Sequence, residues 1–127
     1  MKILVLEDEQ SLLNVISKKL TLCNFEVLMA SDVEGAIKLL SDNKEVDCIW
    51  LDHYLFGDKD GLDFVAEIKN NPAWKNIPVF VVSNTASAEK VNSYLHLGVE
   101  KYYTKANYKL EDIIKDIEIS LGANCKN

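Results

Sequence analysis

Short apolar runs punctuate the chain, and between them apolar residues recur at the three- and four-residue spacing of one helical face. KILVL at 2–6 reads as a strand, and Leu12, Leu13, Ile16 and Leu20 follow as a helix with Ser11 near its start. A second strand, FEVLMA at 25–30, leads to Ser31 and Asp32, which can cap a helix whose inner face is Val33, Ala36, Ile37 and Leu40. VDCIWL at 46–51 is the third strand. A polar, Gly-containing loop then opens a third helix through Leu62, Val65 and Ile68, stopped by Asn70, Asn71 and Pro72. IPVFVV at 77–82 is the fourth strand, with Pro78 at one of the first positions, where a strand tolerates it. Val91, Tyr94 and Leu95 mark the next helix, ended by Gly98. KYYT at 101–104 is a brief fifth strand, and Leu110, Ile113, Ile114, Ile117 and Leu121 carry helical spacing onward.

These are five strand–helix units, without an internal repeat, low-complexity segment or linker. Strands that are apolar throughout are covered on both faces, so the pattern predicts an α/β fold with a doubly wound parallel sheet and right-handed crossovers. Sites in such sheets form outside the carboxyl ends of the strands. Polar residues stand there on four strands: Glu7 and Asp8 after the first, Asp52 after the third, Ser83 after the fourth and Lys105 after the fifth.

Size and composition narrow the reading. A chain of 127 residues, 48% apolar, suggests one domain over 1–127. The balance of 14 basic and 20 acidic residues gives 14 − 20 = −6, which argues against nonspecific nucleic-acid binding through bulk charge. The apolar run at 3–6 is too short for a signal-peptide core and runs into Glu7, Asp8 and Glu9. No stretch approaches the ~20 apolar residues of a membrane span. Cys23, Cys48 and Cys125, odd in number and far apart, fit reduced thiols of a cytoplasmic protein better than a disulfide framework or zinc site.

Gathering Glu7, Asp8 and Asp52 at one sheet edge costs free energy, because like charges raise each other's pKa. A hard divalent cation would relieve that repulsion, and Mg²⁺ takes one or two carboxylates together with waters and phosphate oxygens. Lys105 offers a mobile positive charge and Ser83 a hydroxyl donor, both suited to phosphoryl oxygens. A carboxylate such as Asp52 can itself be the nucleophile, giving an aspartyl phosphate. Each residue has an ordinary reading: an acidic helix start, a solvated lysine, a turn serine, a capping aspartate. Their joint occurrence at the same strand ends favours the site.

The segments ILVLEDE (3–9), CIWLD (48–52), DG (60–61), PVFVVS (78–83) and GVEKYYTK (98–105), in this order and spacing, resemble the response-regulator receiver domains of two-component signalling, the CheY-like family, over nearly the whole chain. The resemblance implies a flavodoxin-like (βα)5 fold with strand order 2-1-3-4-5. It implies that Asp52 takes a phosphoryl group from a histidine kinase or histidine phosphotransfer protein. Asp8 would hold Mg²⁺ directly, Glu7 through water, and the main-chain carbonyl of Tyr54 would complete the protein ligands. Ser83 and Lys105 would bind phosphoryl oxygens, and Ser83 with Tyr102 would form the switch. Output would run through the fourth helix, fifth strand and fifth helix to a target protein, a relay partner or a phosphorylation-dependent homodimer. No output domain, direct nucleic-acid contact, membrane insertion or catalysis beyond the domain's own phosphotransfer and dephosphorylation is expected.

The chain departs from the family pattern at four points. Phe56 replaces the usual Pro four residues after the phosphoacceptor, Gly61 falls one residue late, Asn84 replaces a small residue, and Ala106 replaces the Pro after the lysine. Without that Pro, the Lys105–Ala106 bond is expected to be trans. Tyr54 and Thr85, two residues beyond Asp52 and Ser83, would flank the path of an attacking water. His53 reads as structural or solvated, Trp50 as core and Trp74 as surface packing. A haloacid-dehalogenase-type phosphatase would want a second Asp where Tyr54 stands. A flavodoxin-like cofactor binder would want a phosphate loop where EDEQ stands. The remaining alternative is a degenerate receiver that binds partners without phosphorylation; the intact acidic, Ser and Lys set argues against it.

Overall fold

The computed structural model describes residues 1–43, 45–84 and 87–122, so Thr85 and Cys125 lie outside the described residues. Five strands, β1 (Lys2–Leu6), β2 (Glu26–Ala30), β3 (Cys48–Leu51), β4 (Val79–Ser83) and β5 (Lys101–Thr104), form one parallel sheet in the order β2-β1-β3-β4-β5. The connecting helices are α1 (Gln10–Leu22), α2 (Val33–Asp42), α3 (Gly61–Lys69), α4 (Ala88–Leu97) and α5 (Leu110–Leu121). A short 3₁₀ turn over Lys105–Asn107, not foreseen in the sequence, follows β5.

Strand periodicity explains the continuous apolar runs. On one face Leu4, Leu6, Ile49, Leu51, Val79 and Val81 pack with residues of α2, α3 and α4. Their strand neighbours Ile3, Val5, Cys48, Trp50, Phe80 and Val82 point the other way, into a second core with α1 and α5. Trp50 is fully buried, as expected, and Trp74 is partly buried against the first core. The helix boundaries follow local chemistry. Asp32 caps α2 by accepting from Gly35 N (2.7 Å). Asp60 and Asp63 form a reciprocal capping box at α3. Gly98 ends α4 at φ 94°, a left-handed conformation that glycine adopts without strain.

The ends of β2, β3 and β4 differ from the sequence expectation by one or two residues. The Phe25 amide bonds back to Leu20 O, closing the turn before β2. The Asp47 carboxylate accepts from the Lys2 amide (2.7 Å) at the entry to β3. The Lys105–Ala106 peptide is trans, as expected. Cys48 is a buried free thiol.

Candidate functional site

The site lies where β1 and β3 deliver their carboxyl ends side by side. The Asp52 amide donates to Leu6 O (2.9 Å) and the Glu7 amide to Ala30 O (3.1 Å), so the first residues past β1 and β3 are held by the same hydrogen-bond lattice that forms the sheet. The crossovers from β1 and β3 leave to opposite faces, which opens a crevice at this point. Carboxylate oxygens of Glu7, Asp8 and Asp52 all lie within 4.8 Å of one another there. Glu7 and Asp52 are buried and Asp8 half-buried.

Lys105, brought in from the end of β5, donates to Glu7 Oε1 (2.8 Å) and stands 3.5 Å from Asp52 Oδ2. The other Glu7 oxygen accepts from the Glu9 amide (3.2 Å). Both Glu7 oxygens are therefore engaged by the protein, while Asp52 Oδ1 is buried without a hydrogen-bond partner. Ser83 Oγ, at the end of β4, is buried and unpartnered as well. Leaving such groups unsatisfied costs about 1–3 kcal/mol each, so the crevice holds two oxygens ready for a ligand that can satisfy them.

The electrostatics tell the same story. Partial burial, then the hydrogen bond and negative charge of Glu7, raise the Asp8 carboxyl above its ordinary value; its own backbone and Lys105 oppose this. Burial pulls the Lys105 ammonium down, but the hydrogen bond to Glu7 and the charges of Asp52 and Glu7 outweigh it, so the net shift is upward. The group carries more negative charge than one lysine offsets. Such a donor set, all oxygen with one partnerless carboxylate oxygen, fits a hard divalent cation.

Beyond this group the loop after β3 runs towards α4. His53 is buried, 3% exposed, with Nδ1 2.6 Å from Tyr94 Oη and Nε2 3.8 Å from Asp60 Oδ2. Burial, reinforced by Lys90, holds the imidazole below its ordinary pKa against Asp60 and Asp63. Tyr54 is half exposed, with Lys90 Nζ 5.2 Å from its ring centroid. Phe56 is exposed and bridges to Asp32, where its amide reaches Ser31 O (3.2 Å), so the altered loop is tied to the carboxyl end of β2. Tyr102 is half-buried, its ring 5.7 Å from that of Tyr94. Burial raises the Tyr102 phenol, with Ser83 opposing; the two hydroxyls are close enough to influence one another without hydrogen-bond geometry.

The family model for the response regulator receiver domain matches residues 3–118. The chain belongs to the response regulator receiver domain family. It is a receiver domain of two-component signalling and carries the five-stranded CheY-like fold. It is 26% identical to the chemotaxis protein CheY1 of Helicobacter pylori over 125 residues, 98% of this chain and 99% of that one. Among solved structures it is similar to the phosphorylated cyanobacterial phytochrome response regulator RcpA, with 30% identity, TM-score 0.81, and 99% and 98% of the two chains covered. The Mn²⁺-bound form of response regulator Rcp1 gives 28% identity and TM-score 0.79, with 92% of this chain and 91% of that one covered.

The receiver's crevice thus brings together Glu7, Asp8, Asp52 and Lys105, with Ser83 at the adjacent strand end. Tyr54 and Tyr102 stand on the α4 side of the site. The sequence reading missed the partnership of His53 with Tyr94. Tyr94 showed only as an apolar position on a helix, and nothing in the chain linked it to a residue 41 positions earlier. No helix among the described residues is long and apolar enough to cross a membrane.

Proposed function

We propose that Asp52 is the phosphoacceptor of this receiver. Its Oδ1 attacks the phosphorus of a phosphohistidine on a histidine kinase or phosphotransfer protein. The P–N bond breaks as the P–O bond forms, the electron pair leaves with the imidazole nitrogen, and that nitrogen then takes a proton. The observation that carries this reading is the buried, partnerless Asp52 Oδ1 inside a carboxylate group that one lysine does not neutralise. A divalent ion, Mg²⁺ in the cell, would supply charge neutralisation for the carboxylates and incoming phosphoryl oxygens. Asp8 and Asp52 would hold it directly, with the Tyr54 carbonyl. Glu7, both of whose oxygens are already engaged, would act through water.

Lys105 starts on Glu7 and Asp52 and can turn to a phosphoryl oxygen without leaving the crevice. Ser83 Oγ, free of any other bond, donates to a second oxygen. Movement of Ser83 towards the phosphoryl group vacates space beneath α4, and Tyr102, already against Tyr94, turns inward. The changed surface, α4, β5 and α5, then binds a target, a relay partner or a second copy, by its differential affinity for the two states. The receiver acts in the cytoplasm, where its kinase partners carry phosphohistidine.

The test is intact mass after incubation with acetyl phosphate, with Mg²⁺ or with EDTA. One added phosphoryl group with Mg²⁺, none with EDTA and none in Asp52→Asn is expected. Equal modification of Asp52→Asn would overturn the assignment.

A further inference from the structure

The helix that carries output, α4, is anchored in an uneven way. Tyr94 is its one buried side chain among the described residues, fully enclosed, and its hydroxyl is spent on His53, the residue directly after Asp52. Asp60 faces His53 Nε2, which favours a proton there, so Nδ1 accepts from the Tyr94 hydroxyl. His53 is fixed from its backbone too, since its carbonyl accepts from Gly61 N (2.9 Å). Gly61 leaves the room the phenol occupies, because a side chain there would run into Tyr94 Oη. One helical turn before Tyr94, Lys90 reaches the ring of Tyr54, and that ring stands edge-on to His53 at 4.8 Å. Helix α4 therefore grips both residues that follow Asp52.

We infer that the buried His53–Tyr94 hydrogen bond is a latch between the phosphoacceptor loop and α4, making His53 and Tyr94 positioning residues for output. A shift of the loop as Asp52 gains its phosphoryl group pulls on Tyr94 directly. This second route to α4 does not pass through Ser83 and Tyr102. It is one-to-one in geometry: a phenol enclosed at this depth has no water to fall back on, so α4 either follows His53 or loses its buried bond. The inference rests on Asp52 being the phosphoacceptor.

The experiment is amide NMR of the isotope-labelled protein with beryllofluoride and Mg²⁺, comparing the parent with Tyr94→Phe, His53→Leu and His53→Asn. Tyr94→Phe keeps the ring and removes only the hydroxyl; His53→Asn restores a polar atom near the Nδ1 position. The latch predicts that signals around Asp52 move in all four proteins. Shifts across 88–97 should fall at least twofold in Tyr94→Phe and His53→Leu and recover in His53→Asn. In the parent, the His53 ring nitrogens should report a single tautomer that changes environment when the mimic binds. That readout needs no variant and distinguishes a working latch from a merely structural contact. Undiminished α4 shifts in Tyr94→Phe, or His53 ring signals indifferent to the mimic, would overturn the latch alone. No response at Asp52 in the parent would overturn the phosphoacceptor reading, and the latch with it.

Discussion

Replacing Asp8 by Asn should make the metal-free protein more stable, not less. Asp8 is half-buried and its carboxylate lies within 4.8 Å of those of Glu7 and Asp52. At that distance two unit charges repel by ~3.5 kcal/mol at an effective dielectric of ~20 and by ~0.9 kcal/mol in water. The half-exposed position of Asp8 puts each pair between these limits, and Lys105 already offsets part of it. A net gain of about 1–3 kcal/mol is therefore expected in EDTA, or a rise of roughly 3–10 °C in melting temperature for a domain of this size. If Asp8 holds Mg²⁺ as proposed, the same change removes a ligand's charge, and the stabilisation by Mg²⁺, which grows as RT ln(1 + [Mg²⁺]/Kd), should shrink markedly in the variant. Thermal melts with EDTA and across a Mg²⁺ series measure both effects. A variant that melts below the parent in EDTA, or that gains as much from Mg²⁺ as the parent does, would show that repulsion among these carboxylates does not limit stability.

If the Tyr54 ring, held beneath Lys90, shields the approach of water, Tyr54→Ala should lose its phosphoryl group faster than the parent; an equal or slower rate in a dephosphorylation time course would count against shielding. Gly61→Ala should lose about 1–3 kcal/mol in urea unfolding. The new Cβ meets Tyr94 Oη and backbone atoms of Asp52 and His53 at 3.1 Å, none of which can move freely, so a neutral result would mean the loop is looser than it looks. Burial, then the charge of Asp47, pushes the Cys48 thiol up to about 12, whereas an unfolded cysteine ionises near ~8.5. Between those values the unfolded chain gives up a proton that the folded protein keeps, so stability falls as pH rises, by at most ~1.4 kcal/mol per pH unit from this thiol. Urea unfolding between pH 8 and 10.5 should show the decline, and a flat profile would contradict it.

Elements whose information is local were legible in the sequence. KILVL and KYYT are strands with the bounds read from the chain, the Asp32 side chain caps α2 and the left-handed backbone of Gly98 ends α4 where the sequence placed them. The candidate site was legible because parallel topology turns strand ends into neighbours: once each strand was placed, Glu7, Asp8, Asp52, Ser83 and Lys105 had to share an edge. The strand order was not legible from periodicity, since the buried strands β1, β3 and β4 are apolar on both faces and no residue marks its neighbour; it came from the family resemblance. Least legible was the surrounding of the site. His53 was expected to be structural or solvated, and it is structural, but its bond to Tyr94 depends on how closely α4 packs over the β3–α3 loop. Adjacent residues on a chain usually point apart, so Asp52 and His53 serve different neighbours, one the acidic crevice and one the helix.

A phosphoryl group that resides on Asp52 can be trapped there chemically. Borohydride reduces an acyl phosphate to the alcohol, converting a phosphorylated aspartate into homoserine that survives proteolysis and is located by peptide mass. After phosphorylation with acetyl phosphate and Mg²⁺, conversion is predicted at Asp52, in the peptide that also contains His53 and Tyr54, and nowhere else. Conversion at Asp8, or a phosphorylated protein that yields no homoserine at Asp52, would place the phosphoryl group elsewhere.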